Sequence, residues 1–278
     1  MDLKTLYDTP SWEWPEDAGI VILNTLRDDR IDASDRLTAV ALASDVTVID
    51  DEMVEALLSI LRDGKAPDDL RGRAAVALGP ALEYVDTELL NDDGSFEEPS
   101  AVPVSERAFR KIQQTLHQFY RNAETPKIVR RRVLEAAVRA PQDWHVEAIR
   151  AAYSATEEDW KLTAVFCMQY VRGFDDLILD SLARENPEIL YEAVCAAGNW
   201  ELDAAWPRIS GLIAAKGTDK HLLLAAIDAA AVIRPTEAPG LLYDLMFSKD
   251  EDIVAAVHEA LAMADADEWQ GDDEDDDW

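Results

Sequence analysis

The chain writes nearly the same phrase twice, and that repetition limits its fold more than any other feature. "TLRDD" is followed by "RLTAVALAS" from Arg36, and "ILRDG" by "RAAVALGPA" from Arg73. The unit recurs less obviously further on. Anchors at the start of each Ala-rich run are Asp35-Arg36, Leu70-Arg71, Val129-Arg130, Trp160-Lys161, Ile189-Leu190, Leu223-Leu224 and Ile253-Val254. Successive second residues are 35, 59, 31, 29, 34 and 30 positions apart. A period near 30 is the mark of a stacked repeat, and the 59 holds an insertion.

Each unit reads as two helices. "IVRRRVLEAAVRA" places Val129, Val133, Ala136, Ala137 and Ala140 on one helical stripe. No segment alternates with period two, so no strand is expected. Pro126, Pro187 and Pro235 lie at or just before helix starts, where a missing N–H costs little. "GNW" at 198–200 and "KGTD" at 216–219 are expected to supply turns. Two short amphipathic helices cannot bury their own face, so neighbouring units must stack. The expected fold is all-α: a right-handed α-solenoid of about seven stacked antiparallel helix pairs.

A branched apolar residue, then Arg, then an Ala-rich run ending near Gly resembles HEAT repeats. "LRGRAAVALG" and "IVRRRVLEAAV" carry the pattern. "EILYEAVCAAG" and "DIVAAVHEALA" keep its apolar part but have Leu190 and Val254 in place of Arg. The short version associated with bilin lyases of light-harvesting complexes is the most similar, and the resemblance covers roughly residues 15–264. It implies stacked helix pairs, with a repeat arginine tying neighbouring units together through a carboxylate. Residues 1–14 are expected to flank the stack, 83–102 to form an acidic loop insertion, and 265–278 to be a disordered acidic tail.

Asp and Glu number 57 against 26 Lys and Arg, for a net charge of −31. That balance argues against a nucleic-acid backbone or an anionic membrane as partner, and against the helical-repeat DNA glycosylases that share this architecture. It leaves two readings: a surface adapted to high salt, or a field that steers a basic partner. The N-terminus lacks a signal-peptide pattern, and the longest apolar stretch, 12 residues from Leu222, is too short to span a bilayer. Cys167 and Cys195 are the only cysteines, which points to a reducing cytoplasm.

Catalytic signatures are scarce. Some enzymes of similar architecture hold two irons through several His-Glu pairs, but here only His258-Glu259 forms one. No catalytic residue, metal ligand or cofactor is expected. Two anomalies remain. Nine cations crowd between Ser105 and Arg139, against Glu106, Glu124 and Glu135 alone. They are either an anion-binding patch or locally paired. The expected exposed stripe also changes character, from Arg131, Glu135 and Arg139 in the third unit to Phe166 and Tyr170 in the fourth and Tyr191 in the fifth, with Trp200 following. These seven residues are the candidate partner-binding set on the concave face. The expectation is a monomeric, non-catalytic module holding a protein or peptide. The alternative is an assembly factor resembling bilin lyases that holds a tetrapyrrole-like ligand against Phe166, Tyr170, Tyr191 and Trp200.

Overall fold

A computed structural model describes residues 2–90 and 103–270, which are helical with no strand among them. The chain divides into two compact units, one ending at Ala148 and one starting at Ile149. In the first, α1 (Leu3–Tyr7) precedes the pairs α2 (Ala18–Arg27) with α3 (Ala33–Leu42) and α4 (Asp51–Arg62) with α5 (Asp68–Val76). Then come α6 (Gly79–Leu90) and the pair α7 (Glu106–Arg121) with α8 (Lys127–Ala137). α9 (Trp144–Tyr153) spans the boundary. The second unit holds α10 (Glu158–Cys167), then α11 (Asp175–Leu182) with α12 (Pro187–Asn199). It ends with α13 (Trp206–Ala214) paired to α14 (Lys220–Ile233), and α15 (Ala238–Leu242) to α16 (Glu251–Gln270).

All seven anchors fall in second helices: α3, α5, α8, α10, α12, α14 and α16. Within each unit these helices pack side by side, α3 on α5 on α8, and α10 on α12 on α14 on α16. The Ala-rich runs are the contact. Ala74, Ala75, Ala136, Ala193, Ala197, Ala226 and Ala230 are fully buried. Small side chains let such helices approach closely, which is why the same phrase recurs. The fold is an α-solenoid of helix pairs.

Many of the acids sit where helices begin. The side chains of Asp32, Asp50 and Asp219 accept hydrogen bonds from first-turn N–H groups of α3, α4 and α14, and Ser105 and Asn186 do the same for α7 and α12. Asp51-Glu52, Asp68-Asp69, Glu158-Asp159, Asp175-Asp176 and Glu251-Asp252 fill further first turns. Negative charge there satisfies orphan donors and complements the helix dipole. Part of the −31 therefore has a local structural origin, apart from both readings of the acidity.

Three expectations about the segments change. Residues 83–90 belong to α6, because Leu82 and Val85 give that helix an apolar edge buried in the first unit. The expected loop can begin only after it, and 91–102 lie outside the described residues. Residues 265–270 likewise continue α16, and 271–278 lie outside the described residues. Gly198 is not in a turn but inside α12, where a Cβ would meet the Cβ of Ala229 on α14 at 3.1 Å. In the N-terminal segment, Leu6 is fully buried, and the Trp14 indole N–H donates to the Leu6 and Thr9 carbonyls at 3.0 and 2.8 Å.

Candidate functional site

The seven candidate residues fall in both units. In the first, Glu135 is only 8% exposed and accepts from Arg132 Nη1 at 2.6 Å. Arg139 donates to Glu83 across Gly79, where a Cβ would lie 2.6 Å from Arg139 Cδ. Arg131 is half-buried, and the more exposed arginine is the next one, Arg132. A shift of one residue turns a helix face by about 100°. The expected stripe on α8 is therefore rotated partly inward, and two of its three members are committed to intramolecular pairs. The crowded cations are largely satisfied too: Arg110 pairs with Glu106 at 2.5 Å, Lys111 with Glu55, and Lys127, Arg130 and Arg131 are also engaged. Local pairing thus accounts for much of the basic cluster.

In the second unit, Phe166 and Tyr170 face each other with ring centroids 5.5 Å apart. The Trp200 indole N–H donates to the Met168 carbonyl at 2.6 Å, and the Arg172 guanidinium lies over its ring at 4.5 Å. Of the four expected aromatics, Tyr191 lines a cavity that Phe166, Tyr170 and Trp200 do not border, so the four do not share it as one cradle for a flat macrocycle. Tyr191 is 38% exposed on α12.

That cavity is a groove of about 530 Å³ along the outward face of α12, α14 and α16. Leu224, Ala225, Ala229 and Val232 of α14 share its lining with Cys195 and Gly198 of α12. Tyr191, Asn199, His221 and Met263 also border it. Its charged lining residues are Glu201 and Asp228; no Lys or Arg is among them. α12 and α14 approach closely because Gly198 sits against Ala229, and the i, i+4, i+8 spacing of Leu224, Asp228 and Val232 holds all three on one face.

The electrostatics agree with that census. Burial pushes the Asp228 carboxyl above its ordinary range, and the charge of Glu259 adds to it. Burial likewise raises the Cys195 thiol to about 11, with Glu192 and Asp228 contributing. Tyr191 is raised by Cys195 first, then by burial, with Glu192 and Asp228 adding to it. Every shifted group in the groove is thus held toward its protonated form, partly by neighbouring carboxylates. Cys195 is a neutral thiol at physiological pH and a poor nucleophile.

Sequence reasoning reached Tyr191, and the same stripe continues at i+4 and i+8 to Cys195 and Asn199. It missed Leu224, Asp228, Val232 and Glu201. Carrying the register one unit further reaches Ala225 and Ala229, which line the groove, but not Leu224, Asp228 or Val232. Among the described residues, no three His, Cys, Asp or Glu side chains are grouped as metal ligands, and no helix is long and apolar enough to cross a membrane.

No protein family and no curated protein matches the chain. Solved structures similar to it include the following two. Human deoxyhypusine hydroxylase in complex with glycerol aligns over 95% of this chain and 88% of its own, at 14% identity and a TM-score of 0.42. The Escherichia coli protein YibA aligns over 98% and 91%, at 12% identity and a TM-score of 0.49. At these identities the likeness concerns the helical repeat fold and no further. It does correct the expectation of a non-catalytic interaction module. One of the similar structures is an enzyme, and a role without catalysis is not shown.

Proposed function

We propose that the protein binds a ligand carrying a positively charged nitrogen on an apolar body, seated in the α12–α14–α16 groove. One observation carries this reading: an apolar floor whose charged lining residues, Glu201 and Asp228, are both acids. An ammonium near Asp228 relieves the repulsion between that carboxylate and Glu259, while Leu224, Ala225 and Val232 take up the hydrocarbon. A volume of about 530 Å³ suits a small molecule. Anions are disfavoured by the same field. The two cysteines are free thiols, which supports a reducing, cytoplasmic setting.

Isothermal titration with octylamine, octanol and octanoate tests the proposal. The expected order of affinity is amine, then alcohol, with the acid weakest. Because a chain of net charge −31 attracts any cation loosely, D228N is compared with D8N, which removes the same charge from α1's C-terminal end. Only D228N should weaken the amine. Equal affinity for amine and alcohol, or equal loss in both variants, contradicts the proposal.

A further inference from the structure

α12 ends in an unusual way. The N–H of Glu201 donates to the Gly198 carbonyl at 3.0 Å, and that of Leu202 to the Ala197 carbonyl at 3.0 Å. This pair of bonds is the Schellman closure of a helix, and it needs a left-handed residue just past the cap. That residue is normally glycine, because a Cβ clashes with the backbone in this conformation. Here it is Glu201, at φ 50°, the one non-glycine residue with positive φ among the described residues. The chain does have a glycine three positions earlier, but Gly198 is needed inside the helix against Ala229.

Glu201 is also one of the two acids lining the groove, at the end where α12 stops, whereas Asp228 lies in mid-α14. Among the described residues, none makes a hydrogen bond or ion pair with the Glu201 side chain that would offset its strained backbone. Some acids at helix ends do have partners: Asp50 caps its helix and Asp203 pairs with Arg234. A strained residue without an internal partner, bordering a cavity, is the pattern of strain held at a binding site.

We infer that Glu201 is a specificity-determining residue of the groove, its left-handed backbone tolerated because it sets a second carboxylate against the ligand's cation. This rests on the cation-binding reading above and adds to it. With Asp228 and Glu201 both lining the groove, the preferred ligand has its positive charge placed, or spread, so that both carboxylates act on it. Asp228 and Glu201 are both exposed, so both contributions are screened by salt.

Two variants separate charge from strain. E201Q keeps the side-chain length and the strained backbone but removes the charge. E201G removes both. Titration of octylamine and octanol in low salt, with melting curves of the same samples, reads both effects. The expected result is an amine affinity about threefold weaker in both variants, with octanol unchanged. E201G should melt about 2–3 °C above the natural protein, and E201Q should not. In 0.5 M salt the affinity difference should shrink. Amine binding by E201Q equal to that of the natural protein overturns the inference while leaving the cation-binding groove intact. An E201G protein that melts no higher overturns the claim of strain. A natural protein that binds amine no better than octanol overturns both this inference and the proposal it rests on.

Discussion

Arg71 Nε donates to the Leu61 carbonyl at 3.1 Å, carrying a guanidinium from the first turn of α5 back to the last turn of α4. Its Nη1 also donates to Asp68 at 3.0 Å, and Arg71 is only 8% exposed. The equivalent Arg36 reaches Asp29 at 3.5 Å, in the turn between α2 and α3. At these two units, then, the repeat arginine closes its own helix pair. It was expected to tie one unit to the next through a carboxylate. The reason is geometric: the second helix starts beside the end of the first, where free carbonyls await a donor.

Removing that closure should be costly. R71A leaves the Leu61 carbonyl without its donor in a buried setting, a loss of about 1–3 kcal/mol. R73A breaks only an exposed pair with Asp69 on the same helix and should cost less than about 0.5 kcal/mol. Urea unfolding of the two variants side by side checks the contrast. Equal midpoints would contradict it.

Two glycines inside helices should respond oppositely to alanine. Gly211 lies exposed in α13 with nothing near its missing Cβ, so G211A gains helix propensity of about 1 kcal/mol. Gly198 is pressed on Ala229, with a would-be Cβ 3.2 Å from that residue's Cα. Overpacking there offsets the gain, and G198A should fall at least about 1 kcal/mol below G211A. Thermal or urea melts of both proteins measure the gap.

His145 makes stability depend on pH. It is fully buried at the start of α9, its Nδ1 accepts from the Gln142 N–H at 2.8 Å, and its Nε2 has no partner among the described residues. Trp144 stacks on His117 with centroids 4.7 Å apart and lies 3.8 Å from the His145 ring. Burial first, and the neighbouring His117 further, hold the His145 pKa down to about 4. The unfolded chain takes up this proton near pH 6.5 and the folded chain only near 4. Stability from His145 is therefore complete above about 6.5 and is lost as the pH falls toward 4, by up to about 3 kcal/mol. The carboxylates titrate in the same range, so the difference between natural protein and H145Q is the quantity to follow. That difference should shift in favour of H145Q from pH 7 to 4.5. A constant difference would contradict the assignment.

Salt should stabilise the fold. Self-repulsion among 31 excess negative charges is screened in molar potassium chloride. The ion pairs that salt weakens are mostly exposed and contribute little. The melting temperature should rise between 20 mM and 1 M. A flat or falling curve would show that helix-end acids and ion pairs compensate the charge locally.

The repeat was legible because one packing position imposes one residue type. Ala39, Ala74, Ala164 and Ala193 each stand three residues after the second anchor residue and are all fully buried, so the sequence repeats where the contact repeats. The groove was half legible. Tyr191 and Cys195 follow from the helical stripe, but the same rule misplaced Arg131 and Glu135, since one residue of register rotates a side chain from the outward face into the core. Glu201 was not legible at all. Its left-handed backbone is imposed by the Schellman closure, and the glycine that signals such a site was drawn away to face Ala229.

The most direct test of the cation-binding groove is backbone amide chemical-shift mapping with octylamine. The account predicts that the largest shifts cluster at Tyr191, Cys195, Glu201, Ala225, Asp228 and Val232, and that octanoate leaves them unmoved. Shifts scattered over the helix-start acids such as Asp51 and Asp68, with the groove silent, would contradict it.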